Sequence, residues 1–219
     1  MTALSATGLA LLDDRVPDQG PLAARAEAVR TVLLAERTAK DLGHWAVMAA
    51  AFAPVSCVRV SWFEGSGADF VANARARADR GGTPSFHEIG AVAVVVNGRR
   101  ALADASCTVH IRTTADGVGI DLVSRGRLCW RAEEVDGRWR IVSMDMIYIR
   151  DGLAPVEPGT AVPPLPVPEQ ARSSYGFLQR VMSAAGYPVS AGLPGVDRPD
   201  LVDALLAGHG GWLLDGDAR

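Results

Sequence analysis

Lysine is almost missing from this chain of 219 residues: Lys40 is the only one among 22 Lys and Arg side chains. With 25 Asp and Glu the formal net charge is −3. No basic excess exists to hold a polyanion, so no nucleic-acid partner is expected. Long hydrophobic runs are also lacking. Stretches such as AVAVVV (91–96) are far too short to span a bilayer, so no membrane partner is expected. The first residues, MTALSATGLALLDDR, carry no cationic leader region, and a cytoplasmic location is expected.

Cysteine is sparse too. Cys57, Cys107 and Cys129 have no metal-like spacing, and three cannot form a complete disulfide framework. Each lies in an apolar, strand-like run and reads as a small buried hydrophobe. GxGxxG, P-loop and GxSxG patterns are absent, as is any cluster of metal-ligand spacing. No metal or cofactor is expected. Histidine occurs four times, at His44, His87, His110 and His209. His44 and His209 read as surface residues, and Trp45, Trp130 and Trp139 as core.

What is present divides into a helical start, a strand-rich middle and a helical end. Residues 1–20 are poorly patterned and read as a flexible arm. Pro21 opens a helix, PLAARAEAVRTVLLAERTAKDL, in which Leu22, Ala26, Val29, Val32, Leu33 and Glu36 recur at helical spacing. Gly43 ends it. HWAVMAAAFAP is a second helix stopped before Pro54, VSCVRVSWF a strand, and GADFVANARARADR a third helix. Strands follow: FHEIGAVAVVVNG, RRALADASCTVHIRTT, IDLVSRGRLCWRAEEV and RWRIVSMDMIYIR, with hairpin turns at Asn97-Gly98 and Asp136-Gly137. The fold class is α+β: three helices against a curved antiparallel sheet, in one domain over 21–153. Residues 154–168, rich in proline, form a semi-rigid tether. A helical extension over 169–219 follows. Its first helix is expected from Pro168 to Gly186, and its second carries Asp197 as N-cap. Such a short pair holds no core alone, so it is expected on the body or on a neighbouring subunit.

Helix, DLGHWAVMAAAFAP, strand, helix, then VVVNGRRALADA and VDGRWRIVS together resemble the SnoaL-like branch of the NTF2-like superfamily over roughly residues 22–150. The resemblance implies a cone whose sheet wraps the helices around a deep apolar pocket. It also implies pairing through the sheet into a homodimer or higher homo-oligomer. The fold hosts isomerases, dehydratases, cyclases and binding modules, so chemistry must come from the site.

Within the superfamily, the nearest functional resemblance is to the scytalone dehydratases. Their aspartate ahead of a helical DW pair falls on Asp41 before HW, and their HFIG on HEIG. That puts one catalytic histidine on His87 and the second on His110. Two catalytic tyrosines of that family fall on Lys40 and Trp62, and the substrate-orienting Ser and Asn fall near Gly126 and Leu128. The acid–base part is retained and the carbonyl-holding part altered. The expectation is a cofactor-free dehydratase acting on a small, hydrophobic, polyketide-like or aromatic hydroxy-carbonyl compound. Asp41 would orient His87 as base, and His110 would serve as acid. Trp62, Lys40 and Glu36 would contact substrate. The alternatives are a SnoaL-type cyclase or isomerase with Asp41 or Glu36 as base, and a non-catalytic binding cone. Asp104, Asp121 and Asp145 lie on strands without an Asp–Arg–Asp constellation.

One feature of β-alternation bears on His110. Ala103, Ala105, Cys107, Val109 and Ile111 form one side of their strand, and Asp104, Ser106, Thr108, His110 and Arg112 the other. His110 reaches an apolar interior only through a β-bulge, or if the polar side lines the pocket.

Overall fold

The computed structural model describes residues 10–215 except 12, 83, 167 and 188. Its elements are α1 (Ala23–Leu42), α2 (Trp45–Ala51), β1 (Phe52–Val60), β2 (Phe63–Gly65), α3 (Gly67–Asp79), β3 (Ser85–Ile89), β4 (Ala93–Asn97), β5 (Arg100–Ala115), β6 (Val118–Val135), β7 (Arg138–Pro155), α4 (Gly176–Ala184) and α5 (Pro199–Leu214). The sheet order is β2-β1-β7-β6-β5-β3, with β4 also pairing β5. The sheet is mixed rather than wholly antiparallel, because β1 runs parallel to β7. A helix-to-strand step at Ala51–Phe52 delivers β1 from the helical layer in that direction.

The ends of the elements follow local chemistry. Gly43 closes α1 in the left-handed region, φ 72°, and His44 N–H donates to the Ala39 carbonyl at 2.8 Å. Lys40 and Asp41 therefore occupy the last turn of α1. Ser66 caps α3 by accepting from the Asp69 N–H at 3.0 Å. The β6–β7 hairpin turns on Asp136 and Gly137, both at positive φ, as a two-residue turn requires.

The main core lies between the helices and the concave face of the sheet. Val29 and Leu33 of α1, Phe70 of α3, and Ala103, Trp130 and Met144 of the sheet are all buried there. A second core lies on the convex face. There Val202, Leu206 and Leu213 of α5 cover Val95, Leu102, Cys129 and Ile147. The chain's own last helix thus covers part of this sheet face, where the resemblance led to an expectation of pairing with another subunit. Helix α4 instead packs against β6 and β7.

Several local expectations are corrected. Residues 168–175 are not helical, because Arg172 is drawn into a network instead. It donates to the Ala191 and Leu193 carbonyls and pairs with Asp197 at 2.6 Å. Asp197 therefore serves that pair and does not cap α5, whose N-cap is Arg198. His209 is buried, 3% exposed, with Nε2 3.4 Å from Asp145 Oδ2. Cys57 is exposed and Trp45 only half-buried. Of the arm expected over 1–20, residues 1–9 and 12 lie outside the described residues, as does 167 of the proline-rich stretch. Gln19 is fixed to β4: its Oε1 accepts from Val96 N–H at 2.8 Å and its Nε2 donates to the Val96 carbonyl at 3.1 Å.

Candidate active site

A cavity of about 50 Å³ opens between the helices and the sheet. Arg37 and Lys40 reach it from α1, Trp62 from the turn after β1, Arg77 from α3, and His87 from β3. Its floor is Cys107, Val109 and Ile111 of β5 with Leu128 and Met146. Leu178 and Met182 of α4 close it from the remaining side. This is room for a few water molecules, far below the several hundred Å³ of a typical ligand site.

Asp41 and His87 meet at its edge. His87 Nδ1 is 2.8 Å from Asp41 Oδ1, and the His87 backbone N–H donates to Oδ2, also at 2.8 Å. The last turn of α1 supplies the carboxylate and the third residue of β3 the ring. The carboxylate accepts only, so Nδ1 carries the proton and Nε2 is left as the basic nitrogen. Burial depresses the His87 pKa to about 4, outweighing the pull of Asp41. Burial alone would raise Asp41, but the hydrogen bonds from His87 hold it below its ordinary value. Near neutral pH the pair is therefore a neutral imidazole beside a carboxylate.

His110 is not brought to this pair. On the β3–β5 ladder His87 lies opposite Val109, whereas His110 lies opposite Phe86, in unbroken register from Ser85–Ile111 to Ile89–Cys107. Directly paired residues share a face, so His87 joins the cavity side and His110 the outer side. No bulge intervenes. His110 stacks on the half-exposed Phe86 with ring centroids 4.4 Å apart, and its Nε2 is 3.1 Å from Glu88 Oε2.

The remaining candidates divide similarly. Trp62 lines the cavity, packed 5.2 Å from Phe70. Lys40 lines it too. Its Nζ donates to Ser85 Oγ at 3.2 Å and lies 3.5 Å from Asp41 Oδ1. Burial, then the neighbouring Arg37, lowers its pKa to about 8. Glu36 is fully buried but does not reach the cavity. It binds both the Nε and Nη2 of Arg37, and this pairing keeps the buried guanidinium charged. Glu36 thus acts through Arg37. The strand aspartates are engaged elsewhere: Asp104 with Arg127, Asp121 with Arg112, and Asp145 with Arg59 and His209.

Sequence reasoning missed Arg37, Arg77, Ser85 and Tyr148. Arg37 stands four residues before Asp41, one helical turn, and that spacing was the available signal. Tyr148 lines the cavity opposite Gly126, and burial raises its phenol pKa. A Cβ at Gly126 would lie 2.2 Å from the Ile147 carbonyl oxygen, so no orienting side chain fits there. Cys107 also lines the cavity, but burial pushes its thiol up to about 12, and it stays neutral.

A family model described as a SnoaL-like domain matches residues 22–145. The chain belongs to the SnoaL-like domain family. No curated protein matches this family member's sequence. Among solved structures it is similar to a provisionally named scytalone dehydratase from Novosphingobium aromaticivorans, with 17% identity, a TM-score of 0.48, and coverage of 66% of this chain and 99% of that one. It is also similar to a point variant of a protein of unknown function from Mycobacterium tuberculosis, with 17% identity, a TM-score of 0.49, and coverage of 77% and 98%. An NTF2-like protein with a cystatin-like fold from Novosphingobium aromaticivorans is 23% identical, with a TM-score of 0.43 and coverage of 59% and 88%. The SnoaL-like cone of this chain has no helix, among the described residues, long and apolar enough to cross a membrane.

Proposed function

We propose that this SnoaL-like chain is an acid–base enzyme, a dehydratase that eliminates water from a small hydroxy-carbonyl compound. The observation that carries this reading is the Asp41–His87 dyad at the edge of a mainly apolar cavity. His87 Nε2 takes the proton α to the carbonyl while Asp41 holds the tautomer and stabilises the imidazolium that forms. The imidazolium then returns its proton to the departing β-hydroxyl, so one residue serves as base and acid. Negative charge builds on the carbonyl oxygen between these steps. Trp62 Nε1 and the cations of Arg37 and Arg77 supply the compensating field in a water-poor site. His110 has no part in it.

A panel of small β-hydroxy ketones and acids, followed by mass spectrometry, tests this reading. Loss of water, reduced about 10²–10⁴-fold in His87→Ala, is expected. A product of unchanged mass would replace it with an isomerase or cyclase. Ligand binding without turnover in any compound would replace it with a binding cone.

A further inference from the structure

Lys40 occupies a singular position. An outer cleft bordered by Gly43, Gly81 and Pro84 lies beside the cavity, and Lys40, Trp62, Arg77 and Ser85 line both. Lys40 therefore stands in the wall between the two spaces. Its side chain is only 12% exposed and shares the cavity wall with Arg37 and Arg77, while Asp41 Oδ1 stands 3.5 Å from its nitrogen as an opposing charge. If a fixed positive charge were all this place required, arginine would serve better, because its guanidinium stays charged when buried. The chain uses arginine at every other basic Lys or Arg position. What lysine alone offers is an amine that can lose its proton, and desolvation beside other cations favours that loss. The depressed pKa of about 8 agrees with this placement.

We propose that Lys40 is a nucleophile that condenses with the carbonyl group of the substrate to form an imine. The Nζ lone pair attacks the carbonyl carbon, and the nitrogen's proton passes to the oxygen to give a carbinolamine. The nitrogen's second proton goes to that hydroxyl, which leaves as water as the C=N bond forms. No oxidant or reductant is involved, and hydrolysis regenerates the amine. Ser85 Oγ at 3.2 Å and Asp41 Oδ1 at 3.5 Å are placed to relay protons. The substrate class is thereby narrowed to aldehydes and ketones. The subsequent α-proton removal by His87 rests on the reading above, with the protonated imine nitrogen taking the place of the carbonyl oxygen as electron sink, whereas imine formation does not rest on it.

The test uses the full chain with acetone and sodium cyanoborohydride at neutral pH, followed by peptide mapping. Because the chain has one lysine, isopropylation can mark only Lys40 or the terminal α-amino group. Lys40 should be marked on the order of tenfold faster than in a free peptide of residues 36–44. Lys40→Arg, shown to be folded by circular dichroism, should lose the mark, and His87→Ala should keep it. Marking no faster than in the peptide, or confined to the α-amino group, overturns the proposal. Lys40 unmarked with turnover still lost in His87→Ala would sink the imine and leave the dyad. Lys40 marked with turnover unaffected in His87→Ala would do the reverse.

Discussion

Asp41 and His87 are joined twice, once through the imidazole Nδ1 and once through the backbone N–H, both at 2.8 Å. The two hydrogen bonds fix the carboxylate plane and the ring together, so the dyad is built before any ligand arrives. Asp41→Asn can turn its amide N–H toward Nδ1 and reverse the tautomer. Turnover should fall by about two to three orders of magnitude with the fold retained. Parallel turnover and thermal-melt measurements check this, and an active Asp41→Asn would remove the aspartate from the mechanism.

Acid should destabilise this protein through the same pair. The folded pKa of His87, about 4, lies below its ordinary 6.5, so protons favour the unfolded chain. That stability is complete above about pH 6.5 and is lost as pH falls toward 4. Asp41, also lowered, adds a loss of the same sign below the ordinary carboxylate range. Between pH 7 and pH 4.5 the His87 contribution is about 2–3 kcal/mol. Urea unfolding of wild type and His87→Gln at both pH values measures it. The wild type should lose more, and equal losses would mean that His87 titrates normally.

Lys40 has the same sign of linkage, shifted to a higher pH window, so its cost is already present at neutral pH. Its folded pKa lies below the ordinary value, so at neutral pH the charged form is held at a cost. Lys40→Met removes that cost, while Asp41 keeps both bonds from His87. The variant should be more stable by about 1–2 kcal/mol, and less active. A lower melting temperature would show the lysine to be structural.

His110→Ala should leave turnover within about twofold of wild type, since its ring lies across the sheet from the dyad. A loss comparable to that of His87→Ala would require His110 to act at the cavity. Steady-state kinetics of the two variants side by side decide it.

Helix α4 walls one side of the cavity. Leu178 and Met182 fill its side, and the Leu178 N–H is anchored to Asp151 Oδ2 at 2.7 Å. Met182→Ala should cost about 2–4 kcal/mol and widen the cavity. Urea unfolding should show the cost, and native-state binding of a hydrophobic fluorescent probe should rise. Unchanged values for both would mean that α4 does not wall the site.

Most of the secondary structure was legible because it is local chemistry. The helical spacing of Val29 and Leu33, the stop at Gly43, and the turn at Asp136-Gly137 each act within a few residues, whereas the first hairpin turns on Gly98 and Arg99, one residue past the expected Asn97-Gly98, because Asn97 pairs with Arg100. Resemblance carried the candidate site as far as Asp41 and His87. Pairing decided the rest. Alternation along β5 divided Val109 from His110 and left open which side was inward. Only the β3–β5 register, with His87 opposite Val109, put the two histidines on opposite faces. Segment 168–175 likewise looked helical until Arg172 met Asp197, 25 residues away in sequence. Glu36 looked inward-facing and was, but its neighbour Arg37 consumed it. By itself the sequence determined the elements, their turns and the polarity of each face, because those depend on backbone preference and side-chain period. Which faces meet depends on burial and ion pairing between distant segments, and only the tertiary structure decided that.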